Sequence, residues 1–236
     1  MTDQRRSGAN PYDDLTRRTS ADGPNRGPLI IGAVVAVVVL AAVVAIVVAA
    51  SGDNGDSIEA VQEAGPIEVT GEPLAEYPPT DTLSVDPAAD PATGATPPVL
   101  TGQTFEGDPL TIDPGDGRAK VVVFATHWCP VCQREIPQIR EWLDDGGLPD
   151  DVDLQLVSTS ARSDGPEYPP SDWLGSVGWT EPVLLDNADS LAATSWGLRS
   201  YPYLVFVDAD GNVNARASGE LPTDELERLV AGISPS

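Results

Sequence analysis

The two cysteines of the chain, Cys129 and Cys132, are separated by Pro130 and Val131 in a C-x-x-C motif. Two thiols at this spacing can close and reopen a small disulfide ring, and each cycle transfers two electrons. The motif therefore predicts thiol–disulfide exchange. The cysteine pair is itself the redox couple, so no cofactor is expected. No metal is expected either, because structural zinc sites generally need four ligands.

The segments on either side of the motif predict a strand followed by a helix. Lys120 to Ala125 is an apolar run typical of a buried strand, and Val131 to about Leu143 has helical spacing of its apolar residues. The thiols then lie at a helix start, where unpaired N–H groups and the helix dipole stabilise a thiolate. Cys129 is expected to be the more exposed thiol and the attacking nucleophile, and Cys132, one turn later, the buried thiol that resolves the mixed disulfide.

His127 is the only histidine, and it stands two residues before the first cysteine. As a cation near Cys129 it would lower the pKa of that thiol and make the disulfide more oxidising. The alternative is an exposed loop histidine without effect. Trp128, between them, is expected to pack beside the thiols and shape the rim of the site.

A membrane span is predicted near the N-terminus. Leu29 to Ala50 is a run of 22 residues without a charged side chain, which is long enough to cross a bilayer as a helix. The apolar region of a cleavable signal peptide is shorter, about 7–15 residues. No cysteine stands at the outer end of the run, which excludes a lipoprotein anchor. We therefore expect an uncleaved signal anchor.

The distribution of basic residues predicts the orientation of this anchor. Arginines occur in the polar tail of residues 1–28, and neither Lys nor Arg occurs from Leu29 through Gly117. Positive charge stays cytoplasmic, so residues 1–28 are predicted to be a cytoplasmic tail and the C-terminal part to face outward. That side is usually oxidising, which suits a working disulfide.

The outer part divides by composition into a linker and a domain. Residues 51–92 are rich in Pro, Gly and acidic residues with no basic residue, which predicts a disordered, self-repelling linker, with Ile67 to Val69 as a possible short strand. Residues 93–236 have the length of one compact domain. The formal net charge of −24 excludes typical nucleic-acid binding and adhesion to anionic lipid.

Within residues 93–236, predicted strands alternate with predicted helices, followed by a late hairpin and a terminal helix. Asp153 to Ser158 and Tyr203 to Val207 are the other strong strands, and Pro222 to Ile233 is an amphipathic closing helix. A shorter helix is predicted over Ser171 to Val177, with Ser171 as its cap. This order predicts an α/β fold with a mixed central sheet flanked by helices.

Four local features resemble the thioredoxin superfamily, and specifically its membrane-anchored, extracytoplasmic TlpA/ResA-like thiol:disulfide oxidoreductases. Trp128 precedes the first cysteine, and residues 129–137 (CPVCQREIP) match the pattern C-x-x-C-x-x-E-x-P of that subfamily. Residues 200–203 (SYPY), followed by a strand, resemble the loop that carries the family's cis-proline. Residues 94–97 (GATP) and the hairpin after them resemble the opening of the domain.

The resemblance implies roles for Pro202 and Tyr201, and it also shows a departure at the position of the thioredoxin acid. Pro202 would be the cis-proline that presents the backbone of Tyr201 to an extended substrate, and the ring of Tyr201 would cover the disulfide or contact substrate. The buried acid of thioredoxins is replaced by Val123. Glu135, one turn after Cys132, is then a candidate proton acceptor, unless it is an exposed helix acid.

The predicted function is that of a membrane-tethered, extracytoplasmic thiol:disulfide oxidoreductase that exchanges disulfides with exported proteins. A reductase of the TlpA/ResA type is favoured over a DsbA/DsbE-like oxidase, because the subfamily resemblance outweighs the oxidising tendency of Pro130 and His127. Either direction needs a membrane protein that donates or accepts electrons. A non-catalytic thioredoxin-fold binding module is the alternative from another class, although a binder has no need of a thiol pair.

Overall fold

The computed structural model describes residues 63–79 and 85–234. The predicted cytoplasmic tail and the predicted span Leu29 to Ala50 lie outside the described residues. Among the residues that are described, no helix combines the length and the apolar character that a bilayer crossing requires.

The described residues contain eight strands, which form two sheets. The strands are β1 (Glu68–Thr70), β2 (Val99–Gln103), β3 (Pro109–Ile112), β4 (Ala119–Ala125), β5 (Val152–Ser158), β6 (Val183–Leu185), β7 (Tyr203–Val207) and β8 (Val213–Ser218). The central sheet is mixed and has the order β6-β5-β4-β7-β8, with β4, β5 and β6 parallel and β7 and β8 antiparallel to their neighbours. The second sheet, β1-β2-β3, is antiparallel.

Four α-helices connect or follow these strands: α1 (Pro130–Asp144), α2 (Pro170–Ser176), α3 (Leu191–Ser195) and α4 (Thr223–Ala231). Helix α1 begins five residues after β4 and runs through Pro137. The predicted α/β architecture with a mixed sheet is therefore confirmed, and the long strands and helices lie within two residues of the predicted bounds. The parallel crossover from β4 through α1 to β5 is the unit that places the cysteine pair.

The central strand β4 is buried along its whole length because both faces of the sheet are covered. Val121 and Val123 pack on the face that carries α1 and α4, while Val122 and Phe124 pack on the opposite face with Trp196. This explains why the strand is a continuous apolar run rather than an alternating one. The cysteines belong to the first of these two cores.

The predicted linker is wrong over much of its length. The suggested strand at Ile67 to Val69 exists as β1, which pairs with β2, and the side chains of Leu74 and Tyr77 are buried against the second core. Asp90 forms an ion pair with Arg216, whose side chain is completely buried. Residues 63–79 and 85–92 therefore belong to the domain. A distant arginine neutralises the carboxylate of Asp90, and an apolar face of the sheet buries the side chains of Leu74 and Tyr77.

The predicted cap of α2 is also wrong. Ser171 lies inside the helix, and its hydroxyl and backbone N–H both donate to the carboxylate of Glu63, at 2.5 and 3.1 Å. The first N–H groups of a helix have no hydrogen-bond partner within it. Glu63, which lies far earlier in the chain, supplies an acceptor for one of them, the N–H of Ser171.

Candidate active site

The cysteine pair lies at the junction of β4 and α1, as predicted. Cys129 is the residue before the first turn and has an extended backbone, with Pro130 at the first helical position. Its carbonyl accepts the N–H of Gln133 at 3.0 Å. Both cysteines are buried. Cys129 is 8% exposed and Cys132 is 0% exposed, so the predicted order of accessibility is confirmed.

The environment of Cys132 opposes its ionisation. Burial raises the pKa of this thiol strongly, and the neighbouring Cys129 and Glu135 raise it further, against a backbone hydrogen bond with Thr126 that lowers it. A buried charge without a partner is costly, so the thiol form persists at neutral pH. Cys132 can therefore attack only when another group takes its proton.

Glu135 is not the exposed helix acid that the sequence left as an alternative. Its side chain is 1% exposed, and its two carboxylate oxygens accept the backbone N–H of Leu221 at 3.2 and 3.1 Å. Burial raises the pKa of this carboxyl to about 7, although the hydrogen bond from Leu221 acts in the opposite direction. A carboxyl of this pKa can exchange protons near neutral pH, as general acid–base catalysis requires.

Val123, the residue at the position of the thioredoxin acid, is fully buried in the apolar core. It offers no proton acceptor. The buried acid of this site comes instead from the helix that carries the cysteines.

Trp128 and Tyr201 form the rim beside Cys129. Their rings meet edge to face with centroids 5.7 Å apart. The indole Nε1 of Trp128 donates to the carbonyl of Ser160 at 2.8 Å, and the Tyr201 hydroxyl lies 2.6 Å from the hydroxyl of the same serine. The Cys129 thiol donates a long hydrogen bond to the Tyr201 carbonyl, with Sγ and O 3.9 Å apart. This contact is made by the backbone of Tyr201, and the expected cover of the disulfide by its ring stays a prediction.

The Tyr201–Pro202 peptide is cis, as the resemblance implied. A second cis peptide, Tyr168–Pro169, was not predicted. The carbonyl of Pro202 accepts the N–H of Gly219 at 2.9 Å, which joins the loop to the end of β8.

Both sequence hypotheses for His127 are wrong. The imidazole is fully buried, so it is not an exposed loop residue. Nδ1 lies 2.7 Å from the carbonyl of Pro166, which can only accept, and Nε2 accepts the backbone N–H of Arg162 at 3.1 Å. These partners require the neutral tautomer with its proton on Nδ1, because a cationic ring would have no acceptor nitrogen. His127 is therefore not a cation directed at Cys129.

Sequence reasoning missed Ser160. Its backbone is left-handed (φ 51°), its carbonyl accepts from Trp128, and its hydroxyl also bonds that of Ser190 at 2.7 Å. Asp186, equally missed, is buried and accepts from the Thr159 hydroxyl at 2.8 Å. The partners of Ser160 lie 30 or more residues away, so no local pattern marks it, whereas Asp186 also accepts the backbone N–H groups of Ala192 and Ala193 at the start of α3.

Comparisons with known proteins show the family of the chain. A family model described as Redoxin matches residues 91–233. Sporulation thiol-disulfide oxidoreductase A of Bacillus subtilis (strain 168) is 25% identical over 133 residues, which cover 56% of this chain and 78% of that protein. Thiol-disulfide oxidoreductase ResA of Geobacillus thermodenitrificans (strain NG80-2) is 23% identical over 145 residues, covering 61% of this chain and 79% of that protein.

A solved structure supports the fold. The crystal structure of a putative thiol:disulfide interchange protein DsbE from Chlorobium tepidum is 18% identical, has a TM-score of 0.50, and is matched over 64% of this chain and 100% of that chain. The family model covers more than half of the sequence, and the cysteine pair lies within the matched part. The chain belongs to the Redoxin family.

Proposed function

We propose that this thiol:disulfide oxidoreductase is anchored in the cell membrane by Leu29 to Ala50 and exchanges disulfides with exported proteins on the outer side. The support for the anchor and its orientation is the 22-residue apolar run and the arginines that precede it. The support for the exchange is the pairing of a more accessible Cys129 with a fully buried Cys132, and this observation carries the proposal.

The reaction follows from the positions of the three groups. The Cys129 thiolate attacks one sulfur of a substrate disulfide, forms a mixed disulfide and releases the first substrate thiolate. Cys132 then gives its proton to the Glu135 carboxylate and attacks the Cys129 sulfur. The second substrate thiolate leaves, takes up a proton, and Cys129 and Cys132 are left as a disulfide. Two electrons have passed from the enzyme dithiol to the substrate.

Of the two directions of exchange, we propose that the protein reduces its substrate disulfides. A strongly oxidising site stabilises its reduced form, typically by positive charge beside the nucleophilic sulfur. The neutral tautomer of His127 supplies no such charge. A reductase must itself be reduced again, so the partner is a membrane protein that donates electrons. An oxidase would need an acceptor in its place.

Two measurements on the full-length protein in detergent micelles test the reaction and its direction. The protein should reduce insulin when a dithiol regenerates it, and the equilibrium potential of the Cys129–Cys132 couple should lie near that of thioredoxin, about −270 mV. A potential near −120 mV would instead indicate a DsbA-like oxidant. Absence of any exchange with insulin by the wild-type protein would overturn the proposal.

A labelling experiment tests the location. In spheroplasts that produce the full chain, a membrane-impermeant maleimide should modify Cys129 after mild reduction, because the domain faces outward. A Cys129→Ser variant controls for the site of labelling. Modification that requires lysis of the spheroplasts would place the domain in the cytoplasm and overturn this part of the proposal.

A further inference from the structure

His127 is hydrogen-bonded to a loop that also contacts Trp128, the residue before Cys129. We define the active-site loop as residues 160–169, between β5 and α2. The two hydrogen bonds of the imidazole are both made to the backbone of this loop, at Arg162 and Pro166. The ring of Tyr168, 45% exposed, meets the imidazole at a centroid distance of 5.7 Å. The loop is thus fastened to the residue that directly precedes Trp128.

The loop also covers Trp128 itself. The guanidinium carbon of Arg162 lies 4.1 Å from the centroid of the indole ring, a distance typical of a cation–π contact. At Gly165 the backbone of the loop packs closely against Trp128 and His127. A Cβ at this position would lie 2.9 Å from Cβ of Trp128 and 3.0 Å from Cε1 of His127. Only a residue without a side chain permits this approach.

The backbone of His127 is also held in place, by a hydrogen bond from helix α1. The side-chain amide of Gln133, on α1, donates to the carbonyl of His127 at 2.6 Å. His127 therefore connects two elements. Its backbone carbonyl is bonded to the helix that carries the thiols, and its imidazole ring is bonded to the loop. Three contacts of different kinds fix the placement of the loop: its hydrogen bonds with the His127 ring, the stacking of Arg162 on Trp128, and the close packing of Gly165 against both residues.

We propose that His127 is a positioning residue which holds the active-site loop against Trp128, so that the loop forms one wall of the groove through which a polypeptide disulfide reaches Cys129. This inference rests on the proposed function. A bulky polypeptide must contact the wall, whereas a small disulfide reaches the sulfur without it. Because the contacts that hold the loop are made to His127 and Trp128, its position should change substrate binding more than thiol chemistry.

The test uses the full-length protein and two variants that displace the loop by different means. His127→Ala removes both hydrogen bonds, and Gly165→Ala pushes the loop away while His127 is retained. Gly175→Ala is the matched control, since a Cβ there meets nothing within 4 Å. The rates are measured with insulin and with 2-hydroxyethyl disulfide.

Both loop variants should raise KM for insulin about tenfold with kcat changed less than about twofold, and the rate constant for 2-hydroxyethyl disulfide should stay within about twofold of the wild type. Gly175→Ala should match the wild type with both substrates. An unchanged KM for insulin, or an equal loss with the small disulfide, would overturn the inference. Failure of the wild-type protein with insulin would instead overturn the proposed function.

Amide hydrogen exchange tests the placement of the loop without any substrate. Arg162 is an exposed residue, yet its N–H donates to a buried imidazole, so its amide should exchange at least about tenfold more slowly than those of Ser163 and Asp164. That protection should disappear in His127→Ala and in Gly165→Ala and persist in Gly175→Ala. An unprotected Arg162 amide in the wild type would overturn the inference even if the enzyme reduces insulin.

Discussion

The carboxylate of Glu135 on α1 is bonded to the backbone N–H of Leu221, which lies 86 residues later in the chain, just before α4. This contact joins the helix of the cysteines to the last connection of the fold. It buries an acid beside Cys132, and burial raises the pKa of that acid to about 7. One hydrogen-bonded pair thus joins two distant parts of the fold and supports the proton transfer that we propose for Glu135.

Replacing Glu135 should slow the second step of exchange. Glu135→Gln should lower the rate at which a mixed disulfide on Cys129 is released by about a hundredfold, since general bases contribute factors of this order. The wild-type rate should rise as the pH increases through about 7, because the carboxylate form accepts the proton. This pH dependence should be absent in the variant. The rates are measured by quenched-flow and mass spectrometry.

The matched control for this experiment is Glu141→Gln, which changes an exposed acid of the same helix. It should retain both the rate and the pH profile of the wild type. If Glu135→Gln keeps the wild-type rise through pH 7, some other group takes the proton from Cys132.

The same acid should make folding stability depend on pH. The pKa of Glu135 is higher in the folded than in the unfolded state, so its stabilising contribution is complete below about pH 4.5 and is lost as the pH rises to about 7. Relative to Glu135→Gln, the free energy of unfolding of the wild type should fall by up to about 3 kcal/mol across this range, at about 1.4 kcal/mol per pKa unit. Urea unfolding at several pH values measures the difference. A difference that does not vary with pH would contradict the burial of an ionisable group here.

The two cysteines should behave differently when each is replaced. Cys129→Ser should abolish exchange, whereas Cys132→Ser should accumulate a mixed disulfide with substrate, because no buried thiol remains to resolve it. Non-reducing gels and mass spectrometry detect the adduct. In the reduced wild type, iodoacetamide should modify Cys129 first, since Cys132 is fully buried and its pKa is raised. Faster modification of Cys132 would reverse the assignment.

Asp90 should be essential for stability although it lies in a segment whose composition is typical of a linker. Asp90→Ala leaves Arg216 as a buried cation without its partner, and such a loss costs about 3–5 kcal/mol. Asp86→Ala, the control, removes an exposed acid with one local hydrogen bond to Ala88, and should cost about 1 kcal/mol. The free energies of unfolding in urea compare the two. Similar values for both variants would show that residues 85–92 do not belong to the folded domain.

The sequence by itself determined the type of chemistry and the strand and helix that carry the two thiols. The spacing of Cys129 and Cys132, the apolar run of β4 and the helical period of α1 are local patterns, and local patterns are sufficient to place two thiols at a strand-to-helix junction. The same holds for β7, whose predicted bounds are those observed.

The tertiary structure alone decided how the groups around the thiols act. Glu135 is buried by a chain segment 86 residues away, Asp90 is neutralised by Arg216 at a separation of 126 residues, and His127 is held neutral by a loop 35 residues later. Burial, charge state and hydrogen bonding depend on partners that come together only when the chain has folded. For this reason an acid can look like part of a linker or of an exposed helix face in the sequence and still be buried in the protein.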